Sequence, residues 1–155
     1  MELPEQNIGF LLHDVARLMR KRFEQNARGL GLTRSQCQVL AYLARSGGIQ
    51  QGTLAELLEV EPITLTRIVD RLEEGGFVDR RAHPTDRRIR QLYLTKKAHP
   101  LLSEIFAIGA VTRGEAFDGV PDAERERLFA ILSSMKANLL TKATGAVAER
   151  RASHG

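Results

Sequence analysis

Residues 62–95 constrain the fold more than any other stretch. "PITLTRIVDRLEEGG" opens on a proline and closes on two glycines. Pro62 lacks a backbone N–H, which suits the first turn of a helix, where that donor has no intrahelical partner. Gly75 and Gly76 supply a stop. Turning the segment by about 100° per residue brings Leu65, Ile68, Val69 and Leu72 onto one side. This predicts a helix over 62–74 with that side in a core. Ile63, Thr64, Thr66, Arg67, Asp70, Arg71 and Glu74 fall opposite. Directly afterwards, "FVDRRA" and "RIRQLYLT" run apolar or alternate on either side of "HPTD". That pattern predicts a two-stranded hairpin with a four-residue loop.

The hairpin is also where the charge lies. Residues 80–97 carry seven Lys or Arg and one Asp, a net +6, while all 155 residues net only +4. Everything outside the segment therefore sums to −2. A sequence pI near 9.6 favours an acidic partner, and the local excess says which part of the chain would meet it.

The other elements follow from caps and periodicity. Ile8, Leu11, Leu12, Val15, Leu18 and Met19 recur at helical spacing and predict a long helix over 5–28, stopped by Gly29 and Gly31. Thr33 and Gln36 have the spacing of a capping box, opening a second helix whose Val39, Leu40 and Leu43 face inward and which ends at "SGG", 46–48. Thr53 and Glu56 suggest another box, opening a short helix that buries Leu54, Leu57 and Leu58. Thr95 is expected to cap a fifth helix, with Pro100 making it start late or bend. Its apolar residues are Leu101, Leu102, Ile105, Phe106 and Ile108. Pro121 and the acidic residues after it open a last helix striped by Leu128, Ile131, Leu132, Met135 and Leu139. The tail "ERRASHG" is polar and expected to fray.

Several function classes are disfavoured. The start, "MELPEQ", is acidic and is not followed by the apolar segment of a secretory signal. The longest apolar run, 105–111, is too short to span a bilayer. Cys37 is the only cysteine, so no intrachain disulfide is expected and a reducing cytoplasm fits. Its plain reading is a small buried apolar residue. The four His and one Cys lack metal-ligand spacing. There is no phosphate-binding glycine loop, nucleophile elbow or paired acid and base, so neither a cofactor nor enzyme activity is expected.

A helix-turn-helix followed at once by a basic hairpin is a winged helix. The fold class expected is mainly α with a small β-hairpin wing, flanked by helical dimerisation arms. Double-stranded DNA is the partner that suits it. A helix fits the major groove, where Arg67 can take guanine in a bidentate contact and Thr64 and Thr66 can reach base edges, thymine methyls or phosphates. An arginine at the tip of a hairpin can enter the narrow minor groove. The remaining cations would neutralise phosphates and release counterions.

"LTRSQCQVLAYLA", "LAELLEVEPITLTRIVDRLEEGGFVDRR", "TDRRIRQLYLT" and the two apolar C-terminal helices together resemble the MarR/SlyA-type transcriptional regulators, over essentially all of residues 5–145. The resemblance implies a homodimer built through the first, fifth and sixth helices, acting on a palindromic operator as a ligand-responsive repressor. It divides the chain into a dimerisation helix (1–32), a winged helix-turn-helix (33–95), C-terminal dimerisation helices (96–147) and a flexible tail (148–155). By position, Ile63, Thr64, Thr66, Arg67 and Arg71 belong to the recognition helix. Asp86, Arg87, Arg88 and Arg90 belong to the wing, with Asp86 orienting Arg88. His13 and Arg17 share a helical face. Arg17, Thr33, Cys37 and Arg80 resemble positions that line a pocket for a small aromatic or anionic effector, an arginine pairing with its carboxylate, and His13 joins the candidates as the neighbour of Arg17 on that face. "KKAHP" departs from the glycine-containing start usual in the fifth helix, and Pro62 sits one residue early. Two other classes remain open on the residues alone: a winged helix that binds protein, and a sequence-neutral architectural DNA binder.

Overall fold

The computed structural model describes residues 7–153. Residues 5 and 6 of the expected first helix and residues 154 and 155 of the expected tail lie outside the described residues. The elements run α1 (Ile8–Asn26), α2 (Arg34–Arg45), β1 (Ile49–Gln50), α3 (Gln51–Leu58), α4 (Pro62–Glu74), β2 (Val78–Ala82), β3 (Arg90–Leu94), α5 (Ala98–Ala116) and α6 (Asp122–Ala152). The chain divides into two units, one ending at Ala116 and one beginning at Phe117.

The first unit is built around α2, α4 and the sheet. Leu40, Leu43, Leu54, Leu65, Leu72 and Leu92 are all fully enclosed, with Val39, Val69 and Val78 among them. Each such side chain contributes about 1.5–3 kcal/mol by leaving water, so this cluster is the main source of the unit's stability. Ile68 only borders it. The capping box at α2 forms as expected: Gln36 N–H donates to Thr33 Oγ1 (3.2 Å) and Thr33 N–H to Gln36 Oε1 (2.9 Å). Pro62 occupies the first turn of α4, and Gly76, at φ 79°, turns the chain into β2.

The expected hairpin is part of a three-stranded antiparallel sheet in the order β1-β3-β2. Ile49 pairs with Leu92 and Gln50 with Gln91, while Val78 pairs with Leu94 and Ala82 with Arg90. β1 is two residues long and has no periodicity to read. Gly48, at φ 84°, lies under Tyr93: a Cβ there would stand 3.0 Å from the phenolic oxygen. The loop is longer than "HPTD" and spans 83–89, closed by His83 N–H to Ile89 O (2.9 Å).

One helix start and one expected cap, that of Thr95, differ from expectation. The box at Thr53 and Glu56 does not form, because β1 runs straight into α3, which begins at Gln51 with no side-chain cap. Leu54 and Ala55 are its buried residues, and Leu57 is 55% exposed. The register set by β1 rotates α3 so that the small Ala55 takes the inward place. Thr95 donates its hydroxyl to Gly76 O and so ties the hairpin's end to the turn after α4. α5 starts late, at Ala98, with Pro100 in its first turn.

Within the second unit α6 carries Asp122 and Glu124 in its first turn and Arg150 and Arg151 in its last, both favourable to the helix dipole. Arg125 folds back to donate to Val120 O and Phe117 O. The tail expected to fray from 148 is helical as far as Ala152, α6 running on through Gly145.

Candidate nucleic-acid interface

α4 and the hairpin together place the expected recognition and wing residues. Along α4, Ile63, Thr64, Arg67 and Arg71 are exposed, while Leu65, Val69 and Leu72 anchor the opposite side. Among the described residues neither Arg67 nor Arg71 has a side-chain partner, so both guanidinium groups are open to a ligand. Thr66 is half-buried. Its hydroxyl donates to Pro62 O (2.9 Å) and accepts from Gln51 Nε2 (3.0 Å), which leaves it little freedom to reach a base.

At the wing tip Asp86 holds Arg88. The carboxylate accepts from Arg88 N–H (3.0 Å), Nε (3.2 Å) and Nη2 (3.3 Å). The Arg88 side chain is nevertheless 91% exposed. The Arg88 guanidinium, and then its backbone N–H, lower the Asp86 pKa below the usual carboxylate range. The clamp therefore aims a cation outward without burying it. Ile89 N–H donates to Asp86 O (3.1 Å), which makes the clamp part of the turn itself.

The seven cations of residues 80–97 divide into two sets. Arg80 is held by α3 and α4, Arg81 lies over the Tyr93 ring at 4.2 Å, and Lys97 donates to Gly75 O (2.7 Å) at the end of α4. Those three are structural. Arg87, Arg88, Arg90 and Lys96 point to solvent. Arg88 and Arg90 also line a groove with Gln50, Gln51, Gly52 and Pro62, joining the wing to the starts of α3 and α4.

The five residues expected to form an effector pocket are not brought together. His13 and Arg17 are exposed on α1, and Arg17 pairs with Asp14 (3.5 Å). Thr33 caps α2, and Arg80 belongs to the wing. Cys37 alone lines a pocket of this kind, a cavity of about 320 Å³ between α1, α2 and α5. Its walls include Phe23, Ala41, Ile105 and Phe106, and its cations are Arg20, Arg34 and Arg113. Arg34 is paired with Glu24 (3.0 Å). Gly109 leaves room for Arg113, whose Nη1 lies 3.2 Å from where a Cβ would be. These arginines were missed because helical spacing shows which face a residue takes and not which helix will lie against it. Burial pushes the Cys37 thiol up from its ordinary pKa, against the weaker effect of a backbone hydrogen bond.

Among the described residues no group of three or more His, Cys, Asp or Glu could hold a metal ion. No described helix is long and apolar enough to cross a membrane.

Comparison with known proteins agrees with this geometry. Residues 30–89 match the family model described as the MarR family. A solved structure of MarR is 26% identical, covering 94% of this chain and 98% of its own, with a TM-score of 0.79. A MarR-family transcriptional regulator from Rhodococcus sp. RHA1 is 26% identical, covering 87% and 96%, with a TM-score of 0.77. The transcriptional regulator PA3341 is 34% identical, covering 87% of this chain and 99% of its own, with a TM-score of 0.76. These relatives are transcriptional regulators rather than enzymes. The winged helix with its outward cations, the family match and the likeness along nearly the whole chain agree: this protein belongs to the MarR family of DNA-binding transcriptional regulators.

Proposed function

We propose that the protein is a ligand-responsive repressor that binds a palindromic operator as a homodimer. The observation that carries the reading is the Asp86–Arg88 clamp, which holds a solvent-facing cation at the tip of a hairpin whose neighbour, α4, presents Arg67 and Arg71. Arg67, with Ile63 and Thr64 beside it, would read the major groove, and Arg88 the adjacent minor groove. Arg71, Arg87 and Arg90 would meet phosphates. Thr66 would contribute its methyl group, its hydroxyl being engaged.

Dimerisation is supported separately by two helices. α1 exposes Ile8, Phe10, Leu11, Val15 and Leu18, and α6 exposes Leu128, Phe129, Ile131, Leu139 and Leu140. Apolar stripes of that extent on a water-facing chain call for a covering partner. Two subunits would set their α4 helices in successive major grooves about 34 Å apart. The effector reading moves to the cavity between α1, α2 and α5, where an apolar body would lie against Phe23 and Phe106 and an anionic group against Arg20 or Arg113. Such a ligand lowers DNA affinity only by binding the DNA-incompetent arrangement better.

The test is selection of bound duplexes from random DNA by the purified protein. An enriched inverted repeat with half-sites one helical turn apart is expected. Recovery of DNA without any shared sequence would point to architectural binding, and recovery of none to a protein partner.

A further inference from the structure

We propose that Arg80 is a positioning residue of the DNA-binding surface, holding the wing at a set angle to α4, and is not a phosphate contact. The proposal rests on the reading of the chain as a sequence-selective DNA binder.

Strand parity puts Arg80 where it can act. Val78, Arg80 and Ala82 share one face of β2, and Val78 is buried in the core. The Arg80 side chain therefore leaves the sheet on the core side, and it is only 16% exposed. It reaches two helices at once. Nε donates to Gln51 Oε1 (3.1 Å) at the start of α3, and Nη2 donates to Thr66 O (3.0 Å) in α4. Nη1 stands 2.6 Å from Asp70 Oδ1 and 3.2 Å from Glu73 Oε1, both on α4. The Arg80 N–H donates to the other Glu73 oxygen (3.2 Å). Gln51 closes the ring by donating to Thr66 Oγ1.

This arrangement engages all three nitrogens of the guanidinium inside the protein, so no free pair of N–H groups remains for a two-bond grip on a phosphate. It also neutralises Asp70 and Glu73, which would otherwise set two carboxylates beside a surface meant for a polyanion. A lysine could not substitute, since one ammonium cannot span partners that a planar fork reaches in three directions. The consequence is geometric. Arg67 and Arg88 stand on different elements and must meet neighbouring grooves together, and Arg80 ties β2 to α4.

The experiment compares the full-length protein with Arg80→Ala and Gln51→Ala. Each is titrated with the duplex preferred by the unaltered protein and with an unrelated duplex of equal length, over a series of salt concentrations. Thermal melting reports the folded fraction. For Arg80→Ala the preference for the chosen duplex should fall at least about tenfold, with an unchanged slope of log affinity against log salt. Gln51→Ala carries no charge change and should lose several-fold of the same preference. A merely structural defect would weaken both duplexes in parallel with the folded fraction, and that result would overturn the proposal. A slope smaller by about 0.9 with preference retained would mark Arg80 as a phosphate contact and overturn it too. Should Arg80→Ala fail to fold, Gln51→Ala decides: an undiminished preference refutes the role. Absence of any preference in the unaltered protein would instead refute the functional reading itself.

Discussion

Asp86 and Arg88 form a closed pair two residues apart, in which one carboxylate accepts from the arginine's backbone N–H, Nε and Nη2. The two side chains define the wing tip jointly, and separating their roles is the first measurement to make. Arg88→Ala removes the cation and should weaken operator binding with a shallower salt dependence. Asp86→Ala keeps the cation but frees its orientation, so operator preference should drop while affinity for unrelated DNA rises or stays level. Equal losses in both variants on both kinds of DNA would contradict this division.

The same pair sets a pH dependence. The folded-state pKa of Asp86 is depressed by Arg88, so the clamp's contribution is present above the unfolded value near 3.9 and is lost as pH falls through the folded value. Carboxyl NMR titration should place the Asp86 midpoint below that of an ordinary aspartate. Arg88→Ala should return it toward 3.9. The clamp is thus intact throughout the physiological range.

Arg67 is exposed on α4 and has no side-chain partner among the described residues, so its removal disturbs little else. Arg67→Ala should cost roughly 1–3 kcal/mol at the preferred site and relax base preference at one position of each half-site. Uniform weakening across sequences would identify a phosphate contact instead.

Thr33 begins α2, the helix that supplies Val39, Leu40 and Leu43 to the core. Thr33→Ala removes the hydroxyl that accepts from Gln36 N–H and leaves only the backbone arm of the capping box, and it should destabilise the protein by about 1 kcal/mol, read as a lower melting temperature. Ligand binding in the cavity should be unaffected by it, because Thr33 does not line that space.

Cys37 is buried and its pKa is raised by desolvation. The folded thiol keeps its proton where the unfolded one loses it, so its contribution to stability declines as pH rises past the ordinary thiol value near 8.5. Thiol reagents should label the native protein far more slowly than the denatured one at pH 8. A rate similar to that of free cysteine would show that the thiol is accessible. An anionic ligand seated in the cavity should slow labelling further.

Much of the winged helix was legible along the chain because its signals are local. The Thr33–Gln36 box, Pro62 at the head of α4, the leucine face of that helix and the two glycines after it each involve residues within a few positions of one another, and all appear as expected. The same holds for the clustering of positive charge between 80 and 97. Where a local signal met a long-range partner, the partner prevailed. Pairing of Ile49 with Leu92 starts α3 at Gln51 and displaces the box at Thr53.

The residues around the candidate sites divide in the same way. Alternation and charge were enough to place Arg67 and Arg88 on outward surfaces, since a helix or hairpin has a definite periodicity wherever it sits. Which cations remain outward, and which are held by the protein itself, depends on α4 lying against β2. Only that packing brings Arg80 to Asp70 and Glu73, and only the approach of α1, α2 and α5 sets Arg20 and Arg113 around one cavity. Periodicity and caps act over a few residues and can be read from the letters. Contacts between elements distant in sequence arise from the shape and burial of whole surfaces, which no short stretch of chain contains.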